Sequence, residues 1–396
     1  MYKIDKKFAI PLVLGIFLGF ISLYLFNIFI KKDNFLSPLG NNPQILAAKV
    51  PSKKPIIGFL PYWNLNTASI PLHLIDYLAY FSVTFNPDGT IKKMDEGNLE
   101  IGWYKLGSDE MKQLFELADK QDVGRMITFT AFNNEIIDTL IGSSKTSQKT
   151  IDSIITLVKQ YQLDGVNIDF EYHTGYPISK SPQYYVDFID KLRQELDKQN
   201  LEDVIISLDL YANAFINNNY YDSVKLSQVC DWVVLMGYDF YQTSSSNAGP
   251  VAPLKNPNGK SITQALDSAL KNGIKTNNII LAMPFYGYEW QTVDDSYNSA
   301  TYPGSGAMAS YKRVMSLIKD QDVKIQWDNQ SMSPWLSYND NGNIQQIYYE
   351  NDQSIGYKLQ LITQLQLQGA AIWALGYEGS DATVWNVIEQ WRKNQN

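Results

Sequence analysis

From residue 55 onward the chain returns eight times to a short, apolar, β-prone run. These runs are IIGFL (56–60), YLAYFSV (77–83), RMITFTAF (125–132), GVNIDFE (165–171), VIISLDLY (204–211), WVVLMGYD (232–239), IILAMPFYG (279–287) and AAIWALG (370–376). Between most of them the apolar positions change to spacings of three and four, the pattern of an amphipathic helix. Residues 109–121 carry Met111, Leu114, Phe115 and Ala118 on one stripe. Residues 147–161 carry Ile151, Ile154, Ile155 and Val158, and residues 182–200 carry Tyr185, Phe188, Ile189, Leu192 and Leu196. Residues 261–272, 354–365 and 382–393 repeat the pattern.

Strand and helix alternating about eight times predict a parallel sheet with helices outside it. Eight units point to an α/β fold of the (β/α)8 TIM barrel type; a doubly wound sheet is the alternative. The stretch before the last strand is too long for one helix. Residues 291–353, with a helix near 308–319 and strand-like segments at 325–328 and 345–350, predict a small α+β insertion between strands seven and eight.

The first 54 residues follow another pattern. No charged residue occurs from Phe8 to Ile30, a run of 23. At about 1.5 Å per helical residue this spans a bilayer core of about 30 Å. A cleavable signal has a shorter apolar region and a small-residue cleavage site, whereas Lys31 and Lys32 follow here directly. We expect an uncleaved transmembrane signal anchor at 8–30 with residues 1–7 cytoplasmic, a Pro- and Asn-containing linker at 31–54, and a barrel domain at 55–396 lying outside the cell membrane. Lys3, Lys6 and Lys7 favour an inside N-terminus, and Lys31 and Lys32 blunt that bias.

One strand is polar on one face. In LDGVNIDFEYH (163–173) the alternate residues Asn167, Asp169 and Glu171 share a face, and Val166, Ile168 and Phe170 share the other. A solvent-facing polar strand is the plain reading, and a calcium loop fails on spacing. In a barrel the helices cover the apolar face. The three polar side chains then point inward at the C-terminal strand end, where barrel active sites sit. Asp169 and Glu171 would lie roughly 6–7 Å apart at Cβ, close enough for one acid to raise the pKa of the other and leave a proton available for donation.

Composition narrows the classes. A net charge of −8 argues against a nucleic-acid surface. The single Cys230 excludes an internal disulfide framework, and two histidines, His73 and His173, leave little room for a zinc site or a Ser-His-Asp arrangement. Aromatic content of 13%, with 26 Tyr and 9 Trp, suits either a large core or a cleft lined with rings.

Four motifs in order then carry a resemblance. DGVNIDFE (164–171) matches the D-G-x-D-x-D-x-E signature except at Asn167. MGYD (236–239) closes strand six, AMPFYGYEW (282–290) follows strand seven, and GAAIW (369–373) supplies a tryptophan at strand eight. Over about residues 55–392 the chain resembles the family 18 glycoside hydrolases, the chitinase-like family. With Asn167 it is similar to the subset that includes spore cortex-lytic and chitobiase-like enzymes.

The resemblance implies a retaining, substrate-assisted glycosidase acting at N-acetylglucosamine residues of peptidoglycan or chitin-like oligosaccharides, with no cofactor or metal and as a monomer. It implies Glu171 as general acid, then base. Asp169 would orient the acetamido nitrogen, Tyr238 would bond the acetamido oxygen, and Asp239 would contact the adjoining sugar. Trp373 would form the floor, with Asn167 and Met236 completing the substrate-facing set. Tyr62, Trp63, Tyr286 and Trp290 are expected as cleft walls, Asp164 as a strand support and His173 as a loop residue. A carbohydrate-binding lectin or wall-binding protein on the same fold is the alternative; retention of Glu171, Asp169 and Tyr238 speaks against it. Asn167 cannot ionise, and RMITFTAF lacks the family's usual small-residue ending, so the cleft floor and pH profile should differ from the family's common form.

Overall fold

The computed structural model describes residues 54–173, 181–216, 220–256, 259–321 and 323–395. The expected anchor and linker, apart from Lys54, lie outside the described residues. Among the described residues no helix is long and apolar enough to cross a membrane.

Eight parallel strands close into a barrel in the order 1-8-7-6-5-4-3-2. They are Ile56–Pro61, Tyr77–Thr84, Gly124–Ala131, Gly165–Phe170, Ile205–Tyr211, Trp232–Met236, Ile279–Pro284 and Gly369–Trp373. Closure occurs where strand one meets strand eight, Ile56 facing Ala370. The doubly wound alternative is thereby excluded, since such a sheet is open.

Both faces of the strands are buried, for different reasons. On strand four, Val166, Ile168 and Phe170 face the helices and are fully buried. Phe170 lies 5.9 Å from both Tyr185 and Phe188 of the helix Ser181–Asp197. The lower interior is apolar: Ile57, Phe59, Ala79, Met126, Trp232, Val234, Ile280, Ala282 and Ala371 form one cluster. Met126 explains Gly165, because a Cβ there would come within 2.7 Å of its terminal methyl. Higher up, strands three to five turn polar, with Thr128, Thr130, Asn167, Asp169, Ser207 and Asp209 all buried.

The predicted helices form with one- to three-residue shifts at their ends. Serines cap four of them, Ser108 for Asp109–Lys120, Ser143 for Ser144–Tyr161, Ser261 for Ile262–Lys271 and Ser310 for Tyr311–Asp320. The run 279–287, read as one strand, is two. Phe285 bends the chain after Pro284, and Tyr286–Thr292 begins the insertion. Pro284 has no N–H to extend the barrel ladder. The insertion is a five-stranded antiparallel sheet whose order is Ala307–Ser310, Tyr286–Thr292, Asn343–Tyr348, Ser333–Asp340, Gln326–Asp328. Its helix starts at Tyr311, not near 308, because Ala307–Ser310 pairs with Tyr286–Glu289. Gly287 is required there: a Cβ would overlap the Tyr348 carbonyl oxygen.

The insertion's exit is locked to the barrel helix Asp352–Gln364 by a buried ion pair. Lys358 Nζ lies 2.5 Å from Glu350 Oε2, both side chains having no exposed surface. Burial pushes the Glu350 carboxyl up and the Lys358 ammonium down, and their mutual attraction opposes both shifts. Removing one partner of such a pair costs about 3–5 kcal/mol, whereas replacing both with apolar groups costs far less. Lys358→Met is expected to lower the unfolding free energy in urea by that amount, and Lys358→Met with Glu350→Leu to regain most of it. Equal losses in the single and double variants would remove the role given to this pair.

Candidate active site

Strand four carries its acids to the top of the barrel. The Glu171 N–H donates to the Ala131 carbonyl at 2.9 Å, extending the ladder from strand three by one residue. The strand end is then pinned by Tyr221, whose hydroxyl donates to the Phe170 carbonyl at 2.9 Å and accepts the Tyr172 N–H at 2.9 Å. At the opposite end Asp164 accepts from the Arg125 N–H at 2.8 Å and from its guanidinium Nε at 3.3 Å. Asp164 is thus placed as a strand support.

A cavity of about 950 Å3 opens at this end. Asp169, Glu171, Tyr238, Asp239, Met236, Tyr286, Trp373 and His173 all line it. The Trp373 ring meets Phe81 edge-on at 4.5 Å and Phe59 at 6.0 Å, which props it as a floor. Tyr238 and Asp239 lie just past strand six. Asp239 has φ of +59°, an unusual conformation for a non-glycine residue that directs its carboxyl back over the barrel. There it accepts hydrogen bonds from the hydroxyls of Tyr286 and, at 2.8 Å, Tyr288. Both tyrosines come from the first insertion strand.

Other expected residues lie elsewhere. Asn167 is fully buried beneath the cavity and does not line it. Its amide is committed to the barrel: Ser207 Oγ donates to its Oδ1 at 2.6 Å, and its Nδ2 donates to Asp209 Oδ2 at 2.7 Å. Trp290 is fully buried in the insertion, its indole N–H donating to the Gln242 carbonyl at 3.2 Å; it is core rather than wall. Tyr62 packs on Trp63 at 4.9 Å, and Trp63, 47% exposed, stands edge-on 6.5 Å from Trp373. Neither Tyr62 nor Trp63 is among the lining residues.

Residues not singled out from the pattern complete the site. Asp209 and Tyr211 of strand five line the cavity, as does Phe132 beyond strand three. Their signal was present: in VIISLDLY, Ser207, Asp209 and Tyr211 alternate just as Asn167, Asp169 and Glu171 do. Phe132, 42% exposed, puts a large ring at the rim where the family's usual ending is small.

Burial dominates the electrostatics. It pushes the Asp169 carboxyl well above the usual range, with the charges of Glu171 and Asp209 adding to the effect. It also raises Glu171, but hydrogen bonds from Tyr211 and Asp169 partly offset the rise. A hydrogen bond between two carboxyls requires one proton. With both acids raised and interacting, the pair holds one proton between its two members. Asp239 is raised by burial and pulled back by its two tyrosine hydroxyls. Tyr238 is raised well above its ordinary range, first by burial and then by the surrounding carboxylates, so its hydroxyl stays a donor. The ensemble offers a donated proton, a carboxylate beside it, a phenolic donor and an aromatic floor.

Comparison with known proteins agrees with this geometry. The family described as "Glycosyl hydrolases family 18" matches residues 55–378. "Uncharacterized glycosylase YvbX" of Bacillus subtilis (strain 168) is 28% identical over 299 residues, covering 73% of this chain and 80% of that protein. "Probable di-N-acetylchitobiase 1" of Dictyostelium discoideum is 23% identical over 383 residues, covering 89% and 91%. In fold, the chain is similar to the Ostrinia furnacalis Group IV chitinase solved in complex with allosamidin. The TM-score is 0.75 at 18% identity, covering 87% of this chain and 100% of that one. With the match running the length of the closed barrel and across the acid-bearing strand, the chain belongs to family 18 of the glycosyl hydrolases and is a glycosidase.

Proposed function

We propose that the protein cleaves β-1,4 bonds next to N-acetylglucosamine, with retention and by substrate assistance. The observation that carries this reading is the meeting of Asp169, Glu171, Tyr238 and Trp373 in one cavity at the end of the barrel, the two acids both raised by burial. Glu171 receives the proton from Asp169 and gives it to the glycosidic oxygen. The C1–O bond breaks as the substrate's own acetamido oxygen forms a bond to C1. Asp169, now ionised, accepts the acetamido N–H and stabilises the positive charge that develops on the ring so formed. Tyr238 donates to the acetamido oxygen and orients it before attack. Water then adds to C1 from the vacated face, losing its proton to Glu171, and the acetamido group is released. Two inversions at C1 give net retention.

Several features support the substrate class. The relatives and the structural neighbour named above include a protein called a chitobiase and a chitinase crystallised with allosamidin. Trp373 offers a flat apolar face and Asp239 a hydrogen-bond acceptor, the pairing a pyranose ring requires. The uncharged segment 8–30 favours a membrane anchor with the barrel outside the cell, and that location favours wall polysaccharide as well as chitin-like oligosaccharide. Retention of the acid pair supports catalysis over binding alone.

Release of a chromophore from a di-N-acetylchitobioside tests the assignment. Glu171→Gln is expected to cost about a thousandfold in kcat, and Asp169→Asn about a hundredfold or more. A rate for Glu171→Gln equal to the wild type would reject the acid, and a loss under threefold for Asp169→Asn would reject its role. Mass spectrometry of the products from peptidoglycan and chitin oligosaccharides, run side by side, identifies the substrate. For the anchor, detergent should be needed to extract the full-length protein from membranes; extraction by salt alone would contradict it.

A further inference from the structure

The cavity holds more carboxyl groups than its surroundings can neutralise. Asp169, Glu171, Asp209 and Asp239 all line it. Among the described residues the lysines and arginines that line it come to Lys260, an exposed rim residue whose ammonium is engaged by the Asn213 side chain. Acids crowded together out of water cannot all ionise, so some must hold protons. The reaction above uses Asp169 and Glu171, and Asp239 is given to the sugar, leaving Asp209 without a part.

Its position is specific. Ser207 pairs with Asn167 and Leu208 with Ile168 across strands four and five, so Asp209 stands beside Asp169 on the inner face. Asp209 Oδ2 accepts from Asn167 Nδ2 at 2.7 Å. Its Oδ1 is buried and among the described residues has no hydrogen-bond partner, and Asp169 Oδ1 is buried in the same condition. Because Oδ2 already acts as an acceptor, a proton on Asp209 belongs on Oδ1.

We infer that Asp209 is a positioning residue for the acid pair: neutral in the working enzyme, it keeps a third negative charge away from Asp169 and Glu171, and its ionisation closes the alkaline side of the reaction. Asn167 makes this arrangement possible. Its amide donates to Asp209 without carrying charge, where a carboxyl would need a proton of its own. Burial lifts Asp209 to about 8, Asn167 restrains the rise and the charge of Glu171 adds to it. The titratable groups facing it are Asp169 and Glu171 from strand four, Tyr211 from its own strand, Tyr238 and Asp239 beyond strand six, and Tyr185 from the covering helix. None of these supplies a positive charge. The rate consequence rests on the proposed glycosidase reading; the protonation of Asp209 does not.

Asp209→Asn tests both parts. Below pH 4 an aspartic acid is protonated in the folded and unfolded chains alike. Between about pH 4 and 8 the unfolded chain ionises while folded Asp209 keeps its proton, so the wild type loses stability as pH rises through that window. The variant lacks this loss. Its Tm should gain on the wild type by at least about 5 °C from pH 4 to pH 8, and parallel curves would overturn the inference whatever the activity. In the rate arm, kcat of the wild type should fall tenfold or more from pH 6 to pH 9, and that of the variant less than threefold. The same fall in both, with Tm curves that diverge, would show a protonated Asp209 without control of the reaction and would also overturn the inference. If the wild type releases no chromophore at all, the glycosidase reading fails and the Tm arm alone decides Asp209. Should Asp209→Asn not fold, infrared titration of the wild type decides: a carboxylic-acid band lost with a midpoint near pH 8 supports the inference, and no such loss refutes it.

Discussion

Two carboxyl groups two residues apart on one buried strand face must settle how many protons they hold. Water would let Asp169 and Glu171 ionise separately; the barrel removes the water. Desolvation raises both, and a single proton between them becomes the stable arrangement. The pair forms because strand four is apolar on its other face. Val166, Ile168 and Phe170 are claimed by the helix layer, and the pleat then has no choice but to send the acids inward. A one-residue slip in register would turn the apolar set into the cavity and press the acids against the helix layer.

The rest of the site serves that arrangement. Tyr221 ties the strand end through two backbone hydrogen bonds, and Arg125 holds Asp164 at the other end. The strand can neither fray at the mouth nor slide along its neighbours. Tyr211 offers Glu171 a hydroxyl, which pulls its carboxyl back against the rise that burial causes. The polar half of the interior, strands three to five, is continuous from Thr128 to Asp209. The apolar cluster fills the lower barrel, so the polar groups are confined to the layer where substrate can arrive.

Much of this was legible along the chain because two periods dominate it. Alternation of two marked strand four, and spacings of three and four marked the covering helices. What escaped did so for identifiable reasons. Strand five has the same alternation, yet a single acid among aliphatic residues carries little signal until Asn167 is seen bonded to it. Trp290 and Tyr286 sit four residues apart on one insertion strand, one in the core and the other on the cavity. Their motif places them near the mouth but not on a face, since the bend at Phe285 resets the alternation. Ser333–Asp340, not among the expected strand-like segments, pairs on both sides, with Asn343–Tyr348 and with Gln326–Asp328. Asn167 was expected against substrate because the motif groups it with Asp169 and Glu171. One further layer down the strand, it faces only protein.

The tyrosines that hold Asp239 come 47 and 49 residues after it, and the barrel itself closes only when Ala370 reaches Ile56. Contacts this distant in the chain form late in folding. Without strand eight the ring lacks its contacts to strands one and seven, and the burial that raises Asp169 and Glu171 is incomplete. The shared proton of the acid pair thus depends on closure of the whole ring. The ring of strands acts as its own safety catch, arming a degradative site only in a finished molecule.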